Sequence, residues 1–220
     1  MHSNSKTRQC LICFEEIAKT PSFYHFCHHS TLCFNCLNQF EIYNQTHLFN
    51  GYPLTILYYY NDFFKQLLFQ YKGQDDYALK DAFLNPFYHF KTKYRRHLIA
   101  TVPSSDQDNL RRGFNPNEMI VTSFSNNIFT GLYKTSNYKQ TSQTNRKLVK
   151  DVIKIKDGKR LFNQDVIIFD DVITSGNTIM TCANLIASFH PRSLAIVVMA
   201  SNQIDHLITS KYHTRTRFFH

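Results

Sequence analysis

The chain has 220 residues and carries 25 Lys+Arg against 16 Asp+Glu, a formal charge of +9 with its 11 histidines neutral. Hydrophobic residues at 43%, charged residues at 19% and only 6 Gly and 6 Pro exclude wholesale disorder, collagen-like repeats and Pro/Gly-rich low complexity; the length allows one ordinary domain plus a small module. The longest apolar run, Leu194 to Ala200, is far shorter than the roughly 20 residues a spanning helix needs, and Met1 to Lys6 has no apolar leader core, so a soluble, cytoplasmic chain without a membrane span is expected.

The first informative stretch is cysteine-rich. Cys10/Cys13 and Cys33/Cys36 form two CxxC pairs with 19 residues between them, a spacing that fits two zinc knuckles. Each CxxC turn aims two thiolates at one ion, and two turns close a tetrahedral shell with no place for water, so the zinc expected here is structural. A module of about 40 residues needs such a staple, because it cannot bury enough apolar surface alone. Cys27, His28 and His29 lie between the knuckles, and any of them could replace one thiolate. Cys182 stands in an apolar helical stretch and reads as a small buried hydrophobe. Residues 1–40 are therefore assigned to a four-cysteine module and 41–220 to the main domain.

Asn61 to Tyr71 predicts a helix with Phe63, Phe64, Leu67, Leu68 and Tyr71 on one face, Asn61 as cap and Gly73 at its end. Asp76 to Leu84 predicts a shorter helix stopping before Pro86. His97 to Val102 reads as a buried strand ending at Pro103. Asn115 with Pro116 opens another helix, whose apolar positions Met119, Ile120, Phe124 and Ile128 carry it toward Gly131. Leu132 to Lys134 predicts a short strand, and the polar stretch Ser136 to Arg146 a mobile loop. Val166 to Phe169 is a strand, Thr178 to Phe189 a helix and Leu194 to Ala200 a strand. The alternation indicates an α/β fold: a mostly parallel, twisted sheet flanked by helices.

The richest stretch is Val166-Ile167-Ile168-Phe169-Asp170-Asp171-Val172-Ile173-Thr174-Ser175-Gly176-Asn177-Thr178. A buried strand ends in two acids, a short hydroxyl-rich loop follows, and a helix begins. Open α/β sheets bind ligands beyond the carboxyl ends of their strands. The loop offers backbone N–H groups, hydroxyls and a helix N-terminus to a phosphate, and Gly176 lets the backbone approach closely. The two carboxylates repel phosphate but accept hydrogen bonds from vicinal hydroxyls. A sugar phosphate satisfies both halves.

This stretch resembles the phosphoribosyl pyrophosphate (PRPP) motif of type I phosphoribosyltransferases. The resemblance implies a type I phosphoribosyltransferase-like fold. Asp170 and Asp171 would hold the ribose hydroxyls as the catalytic pair, with Val172 and Ile173 beside them and Thr174, Ser175, Gly176, Asn177 and Thr178 on the 5′-phosphate. It also implies a pyrophosphate loop after an earlier strand, where Val102-Pro103-Ser104-Ser105 falls, with Ser104 and Ser105 as binding candidates. The CxxC knuckles, Tyr71-Lys72-Gly73 and Arg111-Arg112-Gly113-Phe114-Asn115 together resemble the ComF family of competence proteins, ComFC type, over residues 8 to 201. Thr141, Gln143 and Arg146 are the nearest equivalents of that family's longer Arg-rich stretch.

The chemistry implied is substitution at C1′ of PRPP, where catalysis needs positioning and charge stabilisation more than a covalent nucleophile. Magnesium would accompany the phosphates. Arg111 and Arg112 are candidate phosphate contacts, since a guanidinium matches phosphate bidentately; a solvated basic turn explains them equally. No residue identifies the acceptor. The Lys91/Lys93/Arg95/Arg96 and Arg146/Lys147/Lys150 clusters, interleaved with aromatics, suit single-stranded nucleic acid but also a merely solvated surface. The ComF resemblance implies a role in natural transformation, with incoming single-stranded DNA and other competence or recombination proteins as partners. A nucleotide-salvage enzyme joining PRPP to a free base is the alternative.

Overall fold

The computed structural model describes residues 8–17, 31–135 and 153–207. Cys27, His28, His29, the stretch from Ser136 through Arg146 to Lys150, and the tail beyond Leu207 lie outside the described residues.

The short helix α1 (Phe34–Asn38) begins at Cys33 and is followed by β1 (Ile42–Phe49) and β2 (Tyr52–Tyr59). Residues 42–59, to which no element is assigned from the sequence, form an antiparallel hairpin. Its turn is Asn50-Gly51, both at positive φ, the pair that a two-residue turn matching strand twist selects. Helix α2 (Asp62–Gly73) forms as expected, with the Asn61 side chain accepting from the Phe64 N–H at 2.9 Å. The helix expected at 76–84 is instead a 3-10 turn at Tyr77–Asp81, and a second at Asn85–Phe87 runs through Pro86. Proline is accepted there because an early helical position has no N–H to satisfy. Helix α3 (Phe90–Lys93) then leads to β3 (Leu98–Thr101) and α4 (Asp106–Arg112).

Helix α5 (Pro116–Val121) starts where Asn115-Pro116 places it but ends ten residues before Gly131. Thr122 and Ser123 donate their hydroxyls to the Met119 and Ile120 carbonyls, at 2.6 and 2.7 Å. Ile128 belongs to β4 (Ile128–Phe129), so the helical spacing continues by coincidence past the real end. There follow β5 (Leu132–Lys134), β6 (Ile153–Ile155), β7 (Asp165–Ile173), α6 (Asn177–Ala187), β8 (Ser193–Ser201) and α7 (Ile204–Leu207).

Six strands form one sheet in the order β1-β2-β8-β7-β3-β4, parallel throughout except at the β1/β2 edge; β5 and β6 pair separately. Alternation along the central strands supplies two cores. Ile167, Phe169, Val197 and Met199 face α2, the 3-10 turns and α5, whereas Val166, Ile168, Ile196 and Val198 face α6. Burial on both faces explains why these strands read as unbroken apolar runs. The first core continues through Phe40 and Leu32 to Cys10, Cys33 and Cys36; the Phe40 ring lies 5.2 Å from that of Tyr58.

Candidate active site and cysteine centre

Asp170 and Asp171 sit at the carboxyl end of β7, next to the equivalent end of β3, where Val102 N–H still bonds the Phe169 carbonyl at 2.9 Å. Strand alternation would send two adjacent side chains to opposite faces, and each has its own partner. Asp170 Oδ1 accepts from Asn117 Nδ2 at 2.9 Å, from the first turn of α5, and from the Asp171 N–H at 3.0 Å. Asn117 Nδ2 also reaches the Val102 carbonyl at 3.4 Å, tying the ends of β3 and β7 together. Asp171 Oδ2 is ion-paired with Lys72 Nζ near the end of α2.

The two acids are thereby driven apart. Burial, then the neighbouring Asp171 charge, pushes the Asp170 carboxyl well above the usual carboxylate range. Burial would do the same to Asp171, but the Lys72 ammonium and the hydrogen bonds outweigh it and hold Asp171 low. Two adjacent buried carboxylates do not both ionise cheaply, and Lys72 selects Asp171 as the anion. Asn117 Oδ1 is buried with no hydrogen-bond partner among the described residues.

Beyond Ile173 the chain turns at Gly176, whose φ is +73°; a Cβ there would stand 2.4 Å from Phe49 Cζ, so both conformation and space demand glycine. Thr174 and Ser175 are exposed, Asn177 and Thr178 half-buried. The N-cap of α6 is Gly176, which has no side chain to offer the first helical N–H groups, and the Thr174-Ser175 turn lies directly after the β7 end that carries the acids. At the end of β3, Ser104 Oγ donates to Asn109 Oδ1 at 2.7 Å, and Ser105 is the N-cap position of α4.

The structure joins two sequence segments that carried no contact before. Arg112 Nε donates to the Lys72 carbonyl at 2.8 Å, Arg111 pairs with Asp75 at 3.2 Å, and Tyr71 Oη donates to the Pro116 carbonyl at 2.8 Å. Tyr71-Lys72-Gly73 and Arg111–Asn115 thus form one block whose ammonium touches Asp171. Arg112 lines a cleft with Lys72, whereas Ser104 lines another with Lys156. The two arginines and Ser104 therefore line different cavities. Sequence reasoning missed Lys72 and Asn117 as neighbours of the acid pair.

At the other end of the chain, the four sulfurs of Cys10, Cys13, Cys33 and Cys36 all lie within 4.8 Å of one another, and none is in a disulfide. Cys13 and Cys33 Sγ are 3.6 Å apart; bonds of about 2.3 Å to a tetrahedral zinc would place sulfurs about 3.8 Å apart. The set fits a closed four-thiolate site. Burial alone would raise Cys10, but backbone N–H groups of Cys13, Cys33 and Ile12 bring its thiol down to about 7. The Cys36 N–H donates to Cys33 Sγ at 3.4 Å, the amide-to-thiolate contact that a CxxC turn supplies. Cys182 is fully buried, as expected of a core thiol. Among the described residues no helix is long and apolar enough to cross a membrane.

Residues 110–217 match the family model described as the phosphoribosyl transferase domain. No curated protein matches the chain significantly. Among solved structures, a hypoxanthine phosphoribosyltransferase from Staphylococcus aureus is similar at TM-score 0.39 and 16% identity, over 64% of this chain and 70% of that one. A hypoxanthine-guanine phosphoribosyltransferase from Bacillus anthracis gives 0.38 and 11%, over 60% and 75%, and that of L. donovani 0.32 and 14%, over 62% and 78%. The match begins within α4 and takes in β7, the acid pair and the Gly176 turn, and the α/β fold is phosphoribosyltransferase-like.

Proposed function

We propose that the chain binds PRPP with magnesium at the carboxyl ends of β3 and β7, and that this phosphoribosyltransferase domain serves natural transformation by handling incoming single-stranded DNA. The observation that carries the PRPP reading is the acid pair itself: one carboxylate paired with Lys72, one carboxyl pushed upward by burial and bonded to Asn117, directly before a glycine turn that opens a helix. Asp171 accepts from a ribose hydroxyl, and Asp170, in its protonated form, can both donate and accept. The vicinal hydroxyls of one ribose fit that asymmetry. Thr174 to Thr178 take the 5′-phosphate, and Ser104 and Ser105 the pyrophosphate. Magnesium, when bound, neutralises the phosphates of the leaving group. Arg111 and Arg112, already turned toward Asp75, favour a structural part in the Lys72 block over direct pyrophosphate contact.

Residues 1–40 act as a zinc module in this reading, and 41–220 as the transferase-like domain. One zinc per chain is expected by elemental analysis of freshly purified, reduced protein, and its loss in Cys10→Ala or Cys33→Ala. The DNA part of the reading rests on the ComF resemblance and on charge. Among the described residues before 40, the only Lys or Arg is Arg8, against Glu15 and Glu16. Lys91, Lys93, Arg95 and Arg96 are all exposed, which favours that turn as the DNA contact. Competence or recombination proteins are the partners this role requires.

Calorimetry tests the site. PRPP should bind only with magnesium, and Asp170→Ala with Asp171→Ala should weaken it by about a hundredfold or more, the loss of two hydrogen bonds to ribose, one of them to a charged group; unchanged affinity refutes the assignment. A deletion strain tests the role. Normal DNA uptake with lost transformants supports it, and a base-salvage defect alone supports a metabolic enzyme instead.

A further inference from the structure

We propose that Cys13 is the oxidation site of the cysteine centre: hydrogen peroxide reaches its sulfur, a disulfide to Cys33 forms across the two knuckles, and the zinc is released. The inference rests on the zinc reading of residues 1–40 and adds to it a reversible modification.

The four sulfurs are alike in their spacing but not in their access to solvent. All lie within 4.8 Å of one another, yet Cys10 is 0% exposed, Cys36 3% and Cys33 9%, whereas Cys13 is exposed. The local chain explains the difference. Gln9 bridges to Glu16, and the Cys10 N–H bonds the Glu15 carbonyl at 2.9 Å, so the first knuckle closes into a tight turn. Its tip bends at Phe14, which has a left-handed φ of +61° and is 66% exposed, and Cys13 stands beside it. Cys10 lies at the base, where the Leu11 N–H bonds the Thr31 carbonyl at 3.0 Å and ties the first knuckle to the second. Cys33 caps α1 and Cys36 lies within it, and both join the buried cluster of Leu32 and Phe40. Three sulfurs are thus sealed by the fold, and one opens to water.

A closed four-thiolate shell takes no further ligand, so its reactivity lies at sulfur. Oxidation follows thiolate character and access together, and of the four ligands only Cys13 has both. The knuckle from Gln9 to Ile17 carries Glu15 and Glu16, both exposed, and no Lys or Arg; its charge does not repel a small neutral oxidant such as peroxide, as it would an anionic one. The Cys13 sulfur attacks one peroxide oxygen. The O–O bond breaks, hydroxide leaves, and Cys13 becomes a sulfenic acid. Cys33 Sγ, 3.6 Å away, then attacks the Cys13 sulfur, and the S–S bond forms as the S–O bond breaks and a second hydroxide leaves. Two thiolates have lost two electrons, peroxide has gained them, and both hydroxides take protons from solvent to become water. Zinc, left with Cys10 and Cys36 alone, passes into solution. Its loss removes the staple from the part of the core that Leu32 and Phe40 build, so oxidation loosens the packing of both knuckles. A dithiol reductant supplied with zinc restores it.

The test uses the full, zinc-loaded chain. Hydrogen peroxide is added to one sample with dimedone, which traps sulfenic acid, and to another with a chromogenic zinc chelator, and peptide mass spectrometry maps the labels and disulfides. Dimedone should land on Cys13, and without it a Cys13–Cys33 disulfide should grow in step with zinc release and reverse with dithiothreitol and zinc. Cys13→His keeps a zinc ligand, since three thiolates and one imidazole also close a structural site, and should slow peroxide-driven zinc release at least about tenfold because only buried thiolates remain. Label on another cysteine, a disulfide other than Cys13–Cys33, or unchanged release from zinc-loaded Cys13→His overturns the proposal while the zinc reading stands. Where Cys13→His does not fold, the wild-type label and disulfide map decide alone. A freshly purified, reduced chain that holds no zinc overturns the zinc reading and the proposal together.

Discussion

Strand β7 carries an aspartate ion pair at each end, and the two could hardly differ more. At its start Asp165 accepts from Arg192 Nε at 2.8 Å and from Ser193 Oγ at 2.7 Å, with the Arg192 side chain 59% exposed. At its finish Asp171 pairs with Lys72 in a setting where the carboxylate side chain is 12% exposed and a second acid is adjacent. Both aspartates are held below the usual carboxylate range, yet for different reasons. Arg192 and Ser193 act on Asp165 with little burial to overcome, whereas Lys72 acts on Asp171 against burial that would raise it. The first pair staples β7 to β8 in water. The second maintains a charge that its surroundings oppose, an arrangement that recurs at functional sites and in buried structural ion pairs alike.

Substitution of Lys72 gives the largest expected effect. Lys72→Met leaves a buried carboxylate without its cation, which typically costs about 3–5 kcal/mol. Partial exposure of the lysine and the option of protonating Asp171 place this case near 3 kcal/mol, roughly a 6–12 °C fall in melting temperature for a chain of this size. The wild-type Asp171 pKa is depressed, so its stabilisation is present above about pH 4 and lost as pH falls through the folded value. The difference between wild type and Lys72→Met should therefore shrink in acid. A difference that is the same at pH 3.5 and pH 7 means that Lys72 packs rather than pairs.

Asp170 should respond in the opposite sense. Its carboxyl is raised by burial and by Asp171, so its contribution is fully favourable below about pH 4 and declines as pH rises toward the folded value. Asp170→Asn keeps an acceptor for Asn117 Nδ2 and removes the ionisable group. The variant should melt with wild type near pH 4 and above it at pH 8, by less than Lys72→Met loses, while binding PRPP more weakly. Melting curves across that range decide it. A variant less stable than wild type at pH 8 shows that Asp170 is needed as an anion.

The same contrast explains what could be read from the chain and what could not. Val166 to Phe169, the Asn61 and Asn115-Pro116 helix starts, the CxxC pairs and the acids followed by Gly176 are all local signals, and each lies where the sequence puts it. The partners that divide the acid pair are not local. Lys72 lies 99 residues from Asp171 and Asn117 lies 53 from Asp170; no periodicity carries that information, because α2 and α5 meet β7 only once the sheet forms. Asn50-Gly51 shows a different loss, since its turn signal is local and would have revealed the β1/β2 edge. The overlong helix at 116–131 failed because apolar spacing alone does not register side chains such as Thr122 and Ser123 that take up the last carbonyls.

The smallest effect belongs to the amino end of β7. Arg192→Ala removes a guanidinium that is mostly in water, and the Ser193 hydroxyl remains on Asp165. Exposed pairs contribute little and are screened by salt, with a Debye length of about 3 Å at 1 M. The melting temperature should therefore drop only slightly at low ionic strength, and not at all in about 1 M NaCl. Because Asp165 is held low, the small difference should also vanish as pH falls below the carboxylate range, where the acid is protonated with or without its arginine. Lys72→Met in the same salt series should keep most of its loss, since salt does not reach a buried carboxylate. Equal salt sensitivity in the two variants would erase the distinction between the ends of the strand and, with it, the argument that Asp171 is maintained as an anion for a ligand.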